Sequence, residues 1–421
     1  MRTGTNLPRV GGYNRAVVLD AVRGRSSVSR VELAQATGLT NQTVSNVVRR
    51  LLDEGLIQET GQAPSHGGKR RKLLSLRPDA AYAVGVHLDP DITVAVLLDL
   101  SGRVVRRRTM RTSSESDPDR LVRMLTRWVN TLIAKSDVER SRLLGLGVAV
   151  PGPMDRARGM VLDPPNLPDW HHVHLTELLG RATGLPVVMD NDATAAAIGE
   201  RWAGGADRAG GFLFVYMGAG IGGGIMPADS VLRGDSGNAG EFGHVVVEPG
   251  GNECHCGARG CLEAYAAPYA VLADFAARHG RVEAERLCLT LSPEQTRADW
   301  RGLRAAAAKG DRHAIEAVER AAERLGQAAL TTVNLLDVRL IVLGGEALHG
   351  IEEQVHRAMH TWVNGRSIAR AVRTVSVEPS LIGDHVGAVG AASLVLHGAY
   401  TPGWHMLQGD QTAPGHVGAR R

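Results

Sequence analysis

No stretch of this sequence approaches the roughly 18 apolar residues that a helix needs to span a bilayer, although 43% of its 421 residues are hydrophobic. The N-terminus has no apolar segment behind basic residues, so no secretory leader is visible. These two absences predict a cytoplasmic chain with no membrane partner and with core enough for two or three domains. Cysteine is scarce: there are four, and three fall within eight residues, Cys254, Cys256 and Cys261. In a reducing compartment such clustering points to metal ligands rather than disulfides, while Cys288 stands alone and reads as inert. Lysine is scarce as well, with four among 48 basic residues. The arginine excess is therefore a compositional trait, and each arginine has to be weighed in place.

What charge there is lies unevenly. Residues 1–78 hold 13 basic and 5 acidic side chains, a net +8, against a net −4 for the remainder. That is the asymmetry of a nucleic-acid-binding head on an ordinary soluble body. After an N-terminal arm (1–13) read as flexible, residues 14–78 have the pattern of a winged helix-turn-helix. A first helix runs from Asn14 to Arg25. Ser29 and Glu32 form a capping box that starts a second helix, and Gly38 turns the chain where a positive φ is easiest. Thr40 is a natural N-cap for a third helix reaching about Glu54. Val44, Val47, Val48, Leu51 and Leu52 make one buried face of that helix. Gln42, Thr43, Ser45, Asn46, Arg49 and Arg50 lie opposite, as base and phosphate donors in the major groove of operator DNA require. Strands at Leu56–Thr60 and Lys72–Leu76 bound a wing whose tip carries Lys69, Arg70 and Arg71.

Beyond Pro78 strands alternate with helices, which implies an α/β architecture. A hairpin is expected at Ala83–Val86 and Ile92–Asp99, and a helix near Pro118–Lys135. Further strands are expected at Leu144–Val150, Val187–Met189, Phe212–Met217 and Leu340–Leu343. A glycine loop is read over Gly218–Gly224. The C-x-C of Cys254 and Cys256, Cys261 five residues on, and His244 upstream offer three thiolates and an imidazole. This is a closed tetrahedral donor set for structural zinc, with no position left open for metal catalysis.

Taken together, Asn191-Asp192-Ala193, Glu241-Phe242-Gly243-His244 and the run Cys254–Glu263 (CHCGARGCLE) resemble the ROK group of repressors, open reading frames and sugar kinases. The similarity covers about residues 12–398. It implies a two-lobed, actin-like α/β fold of the sugar kinase and Hsp70 ATPase type over 82–398, behind the winged head, while the tail (399–421), rich in Gly, Pro and polar residues, reads as disordered from its composition. It also implies the zinc motif at 244–261. By position in the motifs, Asn191, Asp192, Glu241, His244 and Glu263 correspond to the family's sugar-contacting residues, with Asn166 a weaker match. Buried carboxylates and amides suit a hexose, each of whose hydroxyls both donates and accepts. Asn166 and the loop Trp170–His174 are placed to shape the pocket. His244 is expected to offer one ring nitrogen to zinc and the other to sugar.

In the family's kinases the counterpart of Asp192 is the general base, and the domain opens on a D-x-G-G-T phosphate turn. Here that turn reads His87-Leu88-Asp89-Pro90-Asp91. Pro90 lacks an N–H, and two carboxylates stand where phosphates would lie, repulsive without a compensating cation. Asp192 is then a vestigial base, and the glycines of Gly218–Gly224 and Gly344-Gly345 are retained for the fold. The resulting expectation is a sugar-responsive repressor without kinase activity, acting as a homodimer or homotetramer on operator DNA. An active ATP-dependent sugar kinase with an added DNA-binding head, and a regulator answering to a protein partner, are the other readings. The stretch 282–300 has no role in any of them.

Overall fold

The computed structural model describes residues 7–62, 70–112, 117–164, 169–228 and 230–401. The head consists of α1 (Leu7–Arg23), β1 (Val28–Ser29), α2 (Arg30–Thr37), α3 (Asn41–Asp53), β2 (Ile57–Gln62) and β3 (Lys72–Leu76). Its antiparallel sheet has the order β1-β3-β2. The local signals act as expected. The Ser29 side chain accepts from the Glu32 amide while Glu32 accepts from the Ser29 amide, Gly38 caps α2 at φ 68°, and Thr40 caps α3. Val18, Leu19, Val22, Leu33, Val44, Val48, Leu51 and Leu74 close a dry core. One boundary differs. The first helix begins at Leu7 rather than Asn14, so residues 7–13 are not an arm. α1 runs through Gly11 and Gly12, although each costs a helix interior about 1 kcal/mol relative to alanine.

The body has two sheets. The first lobe carries β4 (Tyr82–Leu88), β5 (Ile92–Asp99), β6 (Val104–Arg111), β7 (Leu143–Val150) and, after the short hairpin of β8 (Met154–Asp155) and β9 (Met160–Val161), β10 (Val187–Asn191), in the order β10-β7-β4-β5-β6. The second lobe carries β11 (Phe212–Met217), β12 (Ile221–Met226), β13 (Leu340–Gly344) and β14 (Ser376–Pro379), in the order β12-β11-β13-β14. Strand alternation sets the layers. In the first lobe Val84, Val86, Leu88 and Leu97 point at α4 (Pro118–Ala134) and α5 (Leu175–Thr183). Ala83, Val94, Val96 and Leu98 point the other way, at a C-terminal helix (Val386–Tyr400). In the second lobe Phe212, Phe214 and Tyr216 face α6 (Asp192–Gly204), and Leu213, Val215 and Met217 face the lobe's outer helices.

Between the lobes α6 and the C-terminal helix pack on each other, and the approach is close enough to demand glycine. A Cβ at Gly390 would sit 2.3 Å from the Ala195 backbone, and one at Gly147 would sit 1.7 Å from the Ala391 carbonyl. The same requirement corrects the glycine loop. Gly222, Gly223 and Gly224 are not loop but part of β12, because side chains there would strike Ala193, Phe242 and the Ala193 carbonyl. Only Gly218-Ala219-Gly220 form the turn.

The head is fastened to the body. The core of α1 is continuous with Leu100, Trp202 and Leu396. The Asp20 carboxylate pairs with Arg23 and, at 2.9 Å, with Arg201 at the far end of α6. Burial pushes the Asp20 pKa up, but the two guanidinium groups outweigh it and hold it below the ordinary range. Arg23 also lies over the Trp202 ring at 4.3 Å. His397 belongs to the same junction. Its Nε2 is buried without a hydrogen-bond partner, and burial together with the neighbouring arginines pushes its pKa down to about 3. Between pH 6.5 and that value the unfolded chain binds a proton that the folded chain refuses. Stability is thus expected to fall as pH drops below 6.5, by up to about 1.4 kcal/mol per unit from this group. Urea midpoints measured from pH 7.5 to 5 check this: His397→Leu should flatten the slope, and an unchanged slope would refute it.

Candidate functional site

The expected sugar residues converge at one end of the interlobe cleft. Asn191 ends β10 and caps α6, its carbonyl oxygen accepting from the Ala193 (2.9 Å) and Thr194 (3.4 Å) amides. Its amide nitrogen is left for the cleft, on the side of Gly152. Asp192 opens α6. Withdrawn from solvent, and facing the charges of Asp89, Glu241 and Glu263, it has a pKa raised to about 7 against the pull of the Ala193 amide. Glu263 is buried and accepts from the Ile221 amide at 3.0 Å, which ties the 218–220 turn to the site. It is therefore not an exposed salt bridge. Glu241 is exposed at the mouth. Asn166 lies outside the described residues. Trp170 is wholly buried in the first-lobe core, so it supports the loop that follows it rather than shaping a pocket.

The four expected metal ligands come together. One donor atom from each of His244, Cys254, Cys256 and Cys261 lies within 4.8 Å of the others. The Cys254 Sγ is 3.6 Å from His244 Nδ1, and Cys256 and Cys261 sulfurs are 3.7 Å apart as free thiols. His244 turns its Nε2 the other way, 3.9 Å from the Glu241 carboxylate. Burial and the neighbouring thiols push the Cys261 pKa up to about 12. Three thiolates this close need a cation to exist, and a soft, closed, tetrahedral set fits zinc.

Toward the other end of the cleft, around the 87–91 turn, a second set of side chains comes together. His87 is buried with its Nε2 4.0 Å from the Asp192 carboxylate. Tyr216 meets the His87 ring edge-on, at 6.1 Å between centroids. Asp89 closes its turn on itself, accepting from the Asp91 (3.0 Å) and Ile92 (3.3 Å) amides. Arg297 faces Asp89 from the second lobe at 3.9 Å and pairs with Glu346.

Sequence reasoning missed several of these residues. Besides Tyr216 and Arg297 they include Asp190, almost wholly buried, which accepts from Arg233 at 3.0 and 2.9 Å and lies 3.4 Å from Arg156. That carboxylate holds two loops over the floor of the site. An acid next to Asn191-Asp192 was the available signal, but its partners are remote in sequence. His255, between two ligand cysteines, also reaches Glu263 at 3.3 Å.

In the head, Gln42, Asn46, Arg49 and Arg50 are exposed along α3. Gln42 donates to Asn46 at 3.5 Å. Thr43 is partly engaged, its hydroxyl 2.9 Å from that of Thr40 in the cap, and Ser45 is half-buried. Arg70 and Arg71 are exposed at the base of the wing, and Lys69 lies outside the described residues. No described helix is long and apolar enough to cross a membrane.

The ROK family profile matches residues 83–397, and a profile of winged helix-turn-helix DNA-binding domains matches 18–58. The chain is 28% identical to the xylose repressor of Caldicellulosiruptor bescii over 391 residues, 91% of this chain and 95% of that one. It is 32% identical to the glucokinase of Thermotoga maritima over 312 residues, 74% of this chain and 96% of that one. Among solved structures, a ROK family transcriptional regulator, a homolog of the E. coli MLC protein, superposes with a TM-score of 0.73 at 25% identity, over 93% of this chain and 97% of that one. The repressors match head and body alike, whereas the glucokinase matches about as much of the chain as the body spans. The chain belongs to the ROK family, as a member that carries a winged helix-turn-helix head on a two-lobed, actin-like body.

Proposed function

We propose that this chain is a sugar-responsive transcriptional repressor of carbohydrate uptake or catabolism, without kinase activity. Its head binds operator DNA through Gln42, Thr43, Ser45, Asn46, Arg49 and Arg50, with Lys69, Arg70 and Arg71 on the backbone. A sugar binds in the cleft to Asn191, Asp192, Glu241, His244 and Glu263, with Asn166 as a further candidate contact. Structural zinc on His244, Cys254, Cys256 and Cys261 holds His244 in place. A homodimer or homotetramer presents paired recognition helices to a pseudo-palindromic site. Sugar changes operator affinity to the extent that it binds two arrangements of the lobes unequally.

The observation that carries this reading is the contrast between the cleft's two ends. The carboxylates suited to a sugar are gathered at one end, while toward the other His87 lies against Asp192, the candidate base, and Arg297 pairs with Asp89 in the turn that stands where a phosphate turn would be. A second reading, an ATP-dependent sugar kinase with a DNA-binding head, draws support from the likeness to a glucokinase and from Asp192, whose pKa of about 7 suits a base.

Two measurements on the same preparation decide between them. A coupled ADP-release assay across hexoses and pentoses is expected to show no turnover above background. Thermal shifts should rise with one sugar of the panel, because a ligand at a hundred times its Kd adds about 2.7 kcal/mol to the folded state. That sugar should then alter operator affinity. Robust turnover would overturn the proposal in favour of the kinase. Absence of any sugar effect on stability or operator binding would remove the sugar from it.

A further inference from the structure

We infer that Arg297 is an interlobe latch, a positioning residue that ties the cleft together where a sugar kinase would be bridged by its nucleotide. The argument begins with the stretch 282–300, which the sequence left without a role. It forms the end of one helix, a loop, and the start of a helix at Thr296–Ala308. That last helix is pinned from both sides. Behind it, the buried Asp299 carboxylate accepts from the Thr290 (3.0 Å) and Leu291 (2.7 Å) amides and from the Thr290 hydroxyl at 3.0 Å. In front, Arg297, Trp300 and Arg304 share the face that helical spacing predicts. All three grip the loop after Gly344-Gly345. Trp300 donates to the Ala347 carbonyl at 2.9 Å, Arg304 donates to the Glu346 carbonyl at 3.2 Å and to that of His349, and Arg297 pairs with the Glu346 side chain.

Arg297 is thereby aimed across the cleft at Asp89, in the turn that stands where a phosphate turn would be. The carboxylates of that turn were expected to need a compensating cation, and the second lobe supplies it. A parallel contact lies beside it: His349 of the second lobe meets Asp384, just before the C-terminal helix, at 3.1 Å. Between these two bridges lies a cavity of about 250 Å³, walled by Ile92, Val94 and Thr109 on one lobe and by Arg297, Glu346 and His349 on the other. Two oppositely charged groups, one on each lobe, each fixed by its own turn or helix, bias the lobes toward closure without any nucleotide. Glu346, on the same lobe as Arg297, orients the guanidinium but does not bridge.

The consequence for ligand response is that the sugar end is pre-organised by the far end of the same cleft. A protein whose competent arrangement is less populated binds its ligand more weakly in proportion. Loosening the latch should therefore weaken sugar binding by about five- to tenfold. This part rests on the function proposed above, whereas the effect on lobe closure does not.

The test is made on the full chain, with spin labels introduced through non-canonical residues at Arg106 and Arg301 so that the zinc thiols are untouched. Wild type without sugar should give one narrow interlobe distance. Arg297→Gln and Asp89→Asn should each broaden and lengthen it. The second variant keeps the oxygen that its own turn requires, and the two substitutions lie on different lobes. The double variant should be no worse than either single one, and Arg297→Lys should restore part of the narrow population. Single variants indistinguishable from wild type, or strictly additive effects in the double, would overturn the latch. If no sugar binds any variant while the distances behave as stated, the latch stands and the sugar reading fails.

Discussion

Replacing Cys261 by serine is expected to strip the metal from the purified protein and to abolish its response to sugar. Wild type should contain one zinc per chain by elemental analysis, and the variant less than about a tenth of that, because a hard hydroxyl is a poor substitute for a thiolate. The loss reaches the sugar site through short covalent paths. His244 is both a ligand and a sugar contact in the proposed function, and Glu263 stands two residues beyond Cys261. The segment between them is held mainly by short backbone contacts such as the bridges Val246–Cys261 and Glu253–Arg259, so the proposed metal would be its main fastening. Structural zinc contributes on the order of 10 kcal/mol to the fold that surrounds it. A fall in melting temperature of about 10 °C or more in the body is therefore expected. Operator binding in the absence of sugar should survive in part, since no ligand lies in the head. Wild-type protein purified without chelators and found free of zinc would sink the metal assignment.

The second large effect concerns the head. Arg49 and Arg50 are exposed on α3, opposite Val44, Val48 and Leu51, so truncating them leaves the core of the head intact. Arg49→Ala combined with Arg50→Ala is expected to cost roughly a hundredfold in operator affinity at fixed salt, taking about 1–3 kcal/mol for each base or phosphate contact. The two kinds of contact separate in a salt titration. An arginine on phosphate lowers the salt slope by about one and weakens all sequences alike, whereas one on a base edge relaxes specificity at its own position. Arg181→Ala on the surface of the body serves as the control and should change nothing. Unchanged affinity in the double variant would mean that α3 is not the reading element.

Features encoded by neighbours in sequence could be read before the fold was known. Ser29 with Glu32, Thr40, Gly38, the span of β3 and the Cys₃His cluster all depend on spacings of a few residues, where local geometry decides. Features that depend on topology could not. Arg297 meets Asp89, and Asp20 meets Arg201, only because the sheets bring distant segments together, and an arginine among many carries no mark of its partner. The glycines of β12 were misread for a related reason. A run of glycine signals a turn when only backbone freedom is considered, but Gly222–Gly224 are present because α6 and Phe242 leave no room for a side chain. The start of α1 was placed at Asn14, although the helix runs on through Gly11 and Gly12, which are locally unfavourable there. Asn191 was half legible: the motif implied a sugar contact, while its place as the cap of α6 was visible only in the structure.

That helix has a consequence for how such a protein could diversify. α6 begins at Asp192 in the cleft and ends at Arg201 and Trp202 against the head, and its 13 residues span about 20 Å. The groups that would distinguish one sugar from another sit mostly to the side of it, around residues 171–174 and 241–263. Under the function proposed above, those segments can be rewritten to admit a different sugar while α6, and the clasp at its far end, stay as they are. The converse is less forgiving: a bulky side chain at Ala193 or Ala197 would strike Gly222 or Gly224 of β12, where the two elements already touch.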